Sequence, residues 1–93
     1  MKANVQGIEI ISSDFHINLK NTIIKFIKNS ISAYSEFYDI SQSIHSQCHE
    51  ALGGKWDIIV GERNKYRTFF NTGVDYLALN AGRYKIIVKY YGK

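Results

Sequence analysis

The stretch WDIIVG at residues 56–61 marks the point at which the pattern of apolar residues changes. Up to Leu52 the apolar residues recur with the period of an α-helix, whereas from Trp56 they follow the period of two that is typical of strands. Gly53 and Gly54 lie between the two patterns, and glycine accepts the left-handed conformation with which helices commonly end. The sequence therefore predicts a helical part up to Leu52 and a strand part from Lys55 onward.

The first helix is predicted from an apolar residue at every fourth position, namely Leu19, Ile23, Ile27 and Ile31. This spacing predicts an amphipathic helix from about Phe15 to Tyr34. Ser13 or Asp14 is expected to cap it, because their side-chain oxygens accept hydrogen bonds from the free N–H groups of a first turn.

The second helix is predicted to follow Ser35, which is expected to cap it, and to end before Gly53. The residues at helical spacing in this segment are Phe37, Ile40, Ile44, Cys48, Ala51 and Leu52. A short strand at residues 8–11 precedes both helices. Four strands are predicted after them, at residues 56–60, 66–71, 74–80 and 83–91, separated by turn signals at 71–73 and 81–82.

Helices and strands are thus segregated along the chain, which predicts an α+β fold with two N-terminal helices packed on an antiparallel sheet. The 93 residues form one domain, 1–93. No apolar run approaches the length of a membrane span, and none follows the N-terminal Lys2 as a secretory signal would require. With a single cysteine, Cys48, no intrachain disulfide can form.

No motif in the sequence nominates a reaction, a metal or a cofactor. His45 and His49 are four residues apart on the predicted second helix, a spacing that can chelate a metal, but two ligands fall short of the four of a structural zinc site. Cys48 lies on the apolar row of the same helix and is expected in the core rather than as a nucleophile. A non-enzymatic protein without a cofactor or bound metal is therefore predicted.

Basic residues raise the alternative of a nucleic-acid-binding module, since the formal net charge is +4. Arg63, Lys65 and Arg67 are close in sequence, and Lys85 and Lys89 share one strand face. No recognition-helix, zinc-finger or phosphate-loop pattern accompanies them. We therefore favour the interpretation that these charges provide solubility and protect a sheet edge, and we do not expect a nucleic-acid partner.

The block WDIIVG resembles the W-x-x-I-V-G signature of the dynein light chains of the peptide-binding hub type. The two upstream helices resemble that family too, as do Ala81-Gly82 and the strand at 83–91, so the resemblance covers nearly the whole chain. It implies a strand-exchanged homodimer in which the strand at residues 66–71 crosses to the sheet of the partner. It further implies a non-catalytic subunit of a cytoplasmic, microtubule-associated motor protein on the cytoskeleton. Such a subunit binds linear peptides of the dynein intermediate chain or of other proteins by strand addition.

Two sets of residues are implied by this resemblance. The peptide-binding groove would consist of Lys65, Tyr66, Arg67, Thr68, Phe69, Phe70, Asn71, Tyr76, Ala78, Asn80, Phe37 and Tyr38. The dimer interface would consist of Trp56, Asp57, Tyr66, Thr68 and Phe70. Dimerisation also agrees with the small size of the domain, which gains stability by burying more surface.

The groove departs from the family pattern. Phe37 and Tyr38 stand where an acidic and a basic residue usually hold a glutamine of the peptide, and Ala78 and Asn80 stand where the groove floor is usually aromatic. Asp57 stands at an interface position that often carries histidine. We therefore expect a divergent light chain with altered partner choice. A structural, axonemal-type light chain that does not bind the usual motif is the alternative within the same family.

Overall fold

Six elements make up the part of the chain that the structure, a computed structural model, describes, which is residues 7–63 and 73–93. They are β1 (Ile8–Ser13), α1 (Ile17–Ala33), α2 (Phe37–Leu52), β2 (Lys55–Glu62), β3 (Asp75–Ala81) and β4 (Tyr84–Gly92). The strands form one antiparallel sheet in the order β1-β3-β4-β2. The predicted α+β class and the order of these elements are confirmed. The further strand predicted at residues 66–71 lies outside the described residues.

The three strands β2, β4 and β3 carry an apolar band across the middle of the sheet. Each contributes three consecutive apolar residues, and the antiparallel register aligns them in rows. The rows are Ile58–Val88–Leu77, Ile59–Ile87–Ala78 and Val60–Ile86–Leu79. Because strand side chains alternate between faces, the first and third rows point to one side of the sheet and the middle row to the other.

The core lies between the helices and the first and third rows. Its members include Ile23, Ile27, Ile40, Ile44, Cys48, Leu77, Leu79, Ile86 and Val88, all fully buried. The middle row is not part of this cluster, and within the described residues no helix packs on its side of the sheet. Ala78 and Ile87 of that row are nevertheless buried, with 0% and 2% exposure.

The N-terminal end of α1 differs from the prediction. The helix begins at Ile17, and His16 caps it by accepting a hydrogen bond at Nδ1 from the N–H of Asn18. Asp14 was expected as a cap, but it joins β3 instead: its N–H donates to the carbonyl of Tyr76, and its carboxylate accepts the N–H of the same residue at 2.7 Å. The predictions that Asp14 or Ser13 caps α1 were therefore wrong.

A polar cluster joins the two helices. Ser30 is fully buried on α1, and its hydroxyl donates to the carbonyl of Phe26 and contacts the hydroxyl of Ser43 at 2.8 Å. The amide of Gln47 donates to the same two serine hydroxyls and to the carbonyl of Phe26. A buried hydroxyl costs free energy unless it is hydrogen-bonded, so this cluster removes that cost and fixes how α2 faces α1.

The junction between α2 and β2 follows the prediction from Gly53 and Gly54. Gly53 has a φ of 69° and its N–H donates to the carbonyl of His49, which ends the helix. The indole N–H of Trp56 then donates to the carbonyl of Gly53 at 2.8 Å. The signature tryptophan thus holds the end of α2 against the start of β2. Among the described residues no helix is long and apolar enough to cross a membrane.

Candidate functional site

A pocket of about 300 Å³ lies where α2 begins and β2 ends. The residues that line it are Ser35, Glu36, Phe37, Tyr38, Glu62 and Arg83. They come from three separate parts of the chain, because antiparallel pairing of β2 with β4 places Glu62 opposite Tyr84, next to Arg83. The pocket therefore combines the start of a helix, the end of a strand and the turn before another strand.

One wall of the pocket is held in place by hydrogen bonds and ring contacts. The Tyr84 hydroxyl donates to the carbonyl of Ser35 at 3.0 Å, and Arg83 Nη2 donates to the same carbonyl at 3.3 Å. Arg83 also donates to the Tyr84 hydroxyl, and its guanidinium lies 5.0 Å from the centre of the Tyr84 ring. The ring of Phe37 meets that of Tyr84 edge-on at 5.9 Å. These contacts fix the chain that leads into α2.

The charged groups that line the pocket within residues 7–63 and 73–93 are two carboxylates, Glu36 and Glu62, and one guanidinium, Arg83. The pKa of Arg83 is raised above its ordinary value, first by its hydrogen bond to Tyr84 and then by the charges of Tyr84, Glu36 and Glu62. An arginine is protonated in any case, so this shift shows only that the field of both carboxylates reaches the guanidinium.

Two aromatic side chains are exposed at the same place. Phe37 is 40% exposed and Tyr38 is 72% exposed. Both were predicted as groove residues, and both line the pocket. Exposed aromatic rings beside a pocket are the type of surface that a ligand covers, since aromatic residues contribute large contact areas at interfaces.

The three groove residues predicted on β3 lie elsewhere, on the side of the sheet to which the middle row points. The hydroxyl of Tyr76 is hydrogen-bonded to that of Ser12, and Ala78 is fully buried. The amide of Asn80 donates to Glu9 at 3.2 Å, while its Oδ1 is buried and has no hydrogen-bond partner within the described residues. The structure thus brings Phe37 and Tyr38 together, but does not bring these three residues into their pocket.

The remaining predicted site residues divide into two groups. Lys65, Tyr66, Arg67, Thr68, Phe69, Phe70 and Asn71 lie outside the described residues. Of the predicted interface residues, Trp56 is 8% exposed and lies in the core, 4.6 Å from the ring of Tyr90 and 6.3 Å from that of Phe15. Asp57 is exposed and pairs across the strands with Lys89.

The prediction from sequence missed four residues that line the pocket: Ser35, Glu36, Glu62 and Arg83. The sequence offered an indication for two of these residues, because Glu62 directly follows WDIIVG and Arg83 directly follows the Ala81-Gly82 turn. Their convergence depends on the register of β2 against β4, which periodicity alone does not fix.

The other residues considered for chemistry are one cysteine and two histidines, and each has contacts within the fold. Burial raises the pKa of Cys48 to about 12, so its thiol is protonated at neutral pH and not a nucleophile. The rings of His45 and His49 are stacked with centroids 6.2 Å apart, and His49 Nδ1 donates to the carbonyl of Gly54. Across residues 7–63 and 73–93 no three metal-ligating side chains of the His, Cys, Asp or Glu type cluster together.

Of the basic residues, Arg63 makes an ion pair with Glu9 at 2.6 Å and donates to the carbonyl of Gly82. Its own N–H donates to the carbonyl of Arg83. Arg63 thus closes one end of the sheet, and these contacts do not require a nucleic acid. Lys65 and Arg67 lie outside the described residues.

Comparison with known proteins gives a fold but no sequence relative. No protein-family model and no curated protein matches the chain. Solved structures do match it. The dynein light chain-like domain of the calcium binding protein FhCaBP2 of Fasciola hepatica, as a mercury derivative, has a TM-score of 0.77 at 15% identity, with 95% of each chain covered. A native crystal form of that domain has a TM-score of 0.76 at 16% identity, with 90% of each chain covered.

A second protein shows the same likeness. The dynein light chain-like domain of CsTAL3 has a TM-score of 0.76 at 11% identity, with 92% of this chain and 94% of that one covered. The matched domains thus span almost all of the chain while sharing few of its residues. The match extends over nearly the full length of the chain, which has the dynein light chain-like fold.

Proposed function

We propose that this chain is a divergent dynein light chain that acts as a non-catalytic, homodimeric hub for extended peptides. Its partners would be the dynein intermediate chain or other proteins with short linear motifs, bound by strand addition. It would act in the cytoplasm, on the microtubule-associated dynein complex of the cytoskeleton. The observation that carries this proposal is that β2, an edge strand, ends at the same pocket where α2 presents Phe37 and Tyr38.

The strand order supports the binding mode. In the described part of the chain β2 pairs only with β4, so its other edge offers backbone donors and acceptors to the strand at residues 66–71 of a partner subunit. The peptide would then add to the far edge of that crossed strand. Such an addition supplies affinity through main-chain hydrogen bonds, while side-chain pockets beside it supply selectivity. The pocket at Phe37 and Tyr38 is suitably placed for that second role.

The apolar band supports the dimer. A sheet that is apolar on both faces belongs between two layers. The described helices cover one face, and on the other Ala78 and Ile87 are buried within the chain whereas Ile59 is only half-buried. The partner subunit would provide the second layer over Ile59, and its strand at residues 66–71 would pair with the open edge of β2. With 93 residues, the domain has a small core and gains stability from that additional burial.

Two measurements on the purified chain test this proposal together. In sedimentation equilibrium we expect twice the protomer mass of 10.7 kDa. In isothermal titration with an intermediate-chain peptide we expect saturable binding of one peptide per protomer. Hydrogen exchange should then show slower exchange of β2 amides in the dimer than in a monomeric variant. A monomer at high concentration that binds no extended peptide would refute the proposal. A dimer that binds no peptide would favour the structural, axonemal-type light chain.

A further inference from the structure

The described residues that line the pocket at the start of α2 carry a net negative charge, although the total charge of the chain is positive. They include two carboxylates, Glu36 and Glu62, and one guanidinium, Arg83, so their sum is −1, whereas the whole chain is +4. Pockets lined by one dominant sign of charge raise the local concentration of ligands of the other sign. The charge of the pocket therefore favours a cationic group.

An anion is disfavoured even though α2 begins here. The helix N-terminus has a positive partial charge, but Glu36 at the cap and Asp39 in the first turn already oppose it. The remaining cation, Arg83, is partly engaged: its Nη2 donates to Ser35 and Tyr84, and its guanidinium lies over the Tyr84 ring. An anionic group would thus meet two carboxylates and an arginine whose Nη2 is already in use.

The aromatic side chains favour a cation of a particular shape. Phe37 and Tyr38 expose large parts of their rings at the pocket, and a cation over such a ring is attracted by its negative face. A guanidinium is planar and only weakly hydrated, so it stacks on a ring while donating to carboxylates at its edge. The two exposed rings and the two carboxylates thus match the face and the edge of an arginine side chain.

We propose that this pocket selects a basic side chain, arginine above lysine, of the bound peptide. The inference rests on the proposed function, since the basic side chain belongs to a peptide added as a strand at the dimer interface. It replaces the glutamine preference that the family resemblance implies with a charge-based preference. Partners would then carry a basic residue at the position that enters the pocket.

The pocket can be tested apart from strand addition, with single amino acids as probes. N-acetyl-arginine amide, N-acetyl-glutamine amide and N-acetyl-glutamate amide would be titrated into the ¹⁵N-labelled protein. We expect saturable shifts of the Phe37 and Tyr38 amide signals with the arginine probe, weaker shifts with the glutamine probe and none with the glutamate probe. Added salt should weaken the arginine response, because exposed charges are screened.

Variants of the carboxylates and of one ring identify the groups responsible. Glu36→Gln and Glu62→Gln should each weaken arginine binding by about two- to five-fold, the range for an exposed ion pair. Tyr38→Ala should weaken it by a similar factor of about two to five through loss of the cation–π contact. Glu50→Gln removes the same charge from the exposed end of α2 and should leave the affinity unchanged. The amide spectrum of each variant shows whether it is folded.

The outcomes separate the two proposals. Equal binding of the glutamate probe, or arginine binding that Glu36→Gln and Glu62→Gln leave unchanged, would overturn the basic preference. If the chain dimerises and binds the intermediate-chain peptide but not the arginine probe, only this inference fails. If the arginine probe binds as expected but no extended peptide does, strand addition fails and the preference of the pocket stands. Replacing the central glutamine of that peptide by arginine should tighten its binding.

Discussion

Replacing Gly54 by alanine should destabilise the fold strongly, because two separate effects coincide at this residue. Gly54 has a φ of 91°, a conformation that costs an L-residue about 1–2 kcal/mol. In addition, a Cβ at this position would lie 2.5 Å from Cε1 of Tyr90 and 3.1 Å from the carbonyl oxygen of Gly92. The Tyr90 ring cannot simply move away, since it packs 4.6 Å from the ring of Trp56.

Gly92 provides a matched control for the backbone effect alone. Its φ is 96°, close to that of Gly54, but a Cβ there would meet nothing within 4 Å. Gly92→Ala should therefore cost about 1–2 kcal/mol, whereas Gly54→Ala should cost about 1–3 kcal/mol more, the usual range for overpacking a filled site. For a domain of this size that additional cost lowers the melting temperature by about 4–8 °C for each kcal/mol.

Urea unfolding followed by tryptophan fluorescence measures this difference directly, because Trp56 is the single tryptophan and lies against Tyr90. All variants would be compared at the same protein concentrations, since the stability of the proposed dimer would depend on concentration. If Gly54→Ala and Gly92→Ala lower the free energy of unfolding by the same amount, Tyr90 does not restrict Gly54, and the described packing at this junction is wrong.

Three further predictions concern the core, the thiol and the dimer. Trp56→Phe should lower the free energy of unfolding by about 1–3 kcal/mol, because it leaves the part-buried Gly53 carbonyl without the indole N–H as its donor. Urea unfolding followed by circular dichroism measures this, and an unchanged midpoint would contradict the hydrogen bond. Cys48 should resist iodoacetamide in the folded protein up to high pH and react fully in urea, and mass spectrometry of the adduct decides this. Because burial raises its pKa from the ordinary thiol value of about 8.5 to about 12, the stability that Cys48 contributes is present below pH 8.5 and falls as the pH rises toward 12. Ile59→Lys places a charge on the middle apolar row and should shift the mass measured by sedimentation equilibrium toward that of the protomer. Ile10→Lys, at an exposed position of β1, is its control. Equal masses for the two variants would count against the proposed dimer face.

The apolar periodicity predicted the helices and strands but not every one of their boundaries. Ile23 and Ile27 lie in the core as their spacing predicted, and α2 ends at Leu52 before Gly53 as expected. The first helix was extended too far, because Phe15 continues the apolar pattern and is buried, yet it precedes the helix. The spacing of apolar residues predicts which side chains are buried. It does not distinguish a buried residue just before a helix from a buried residue inside it.

The residues that cap the two helices could not be predicted from the neighbouring sequence alone. Asp14 can cap a helix, but pairing with Tyr76 on β3, 62 residues away, uses both its N–H and its carboxylate. Ser35 was also a predicted cap, but the cap of α2 is Glu36, and the carbonyl of Ser35 accepts from Tyr84 and Arg83 instead. The correction in both cases comes from a strand far along the chain, whose register the sequence does not specify.

Only part of the candidate site was predicted from the sequence. Phe37 and Tyr38 were identified as groove residues, and they line the pocket. The charges around them were missed, because Glu62 and Arg83 reach the pocket only through the pairing of β2 with β4. A family resemblance predicts site residues only at positions that match the family motif. Glu62 and Arg83 do not match a motif, so the resemblance did not predict them.

The polar cluster of Ser30, Ser43 and Gln47, in which Ser30 is fully buried, has a consequence for how this sequence can change. A change at Ser30 alone removes one acceptor of the Gln47 amide and a partner of the Ser43 hydroxyl, so substitutions at these positions should occur in concert rather than singly. Sequences related to this chain would then retain either this polar set or a fully apolar replacement of it. Covariation at these three positions would mark the lineage of this chain where overall sequence similarity has disappeared.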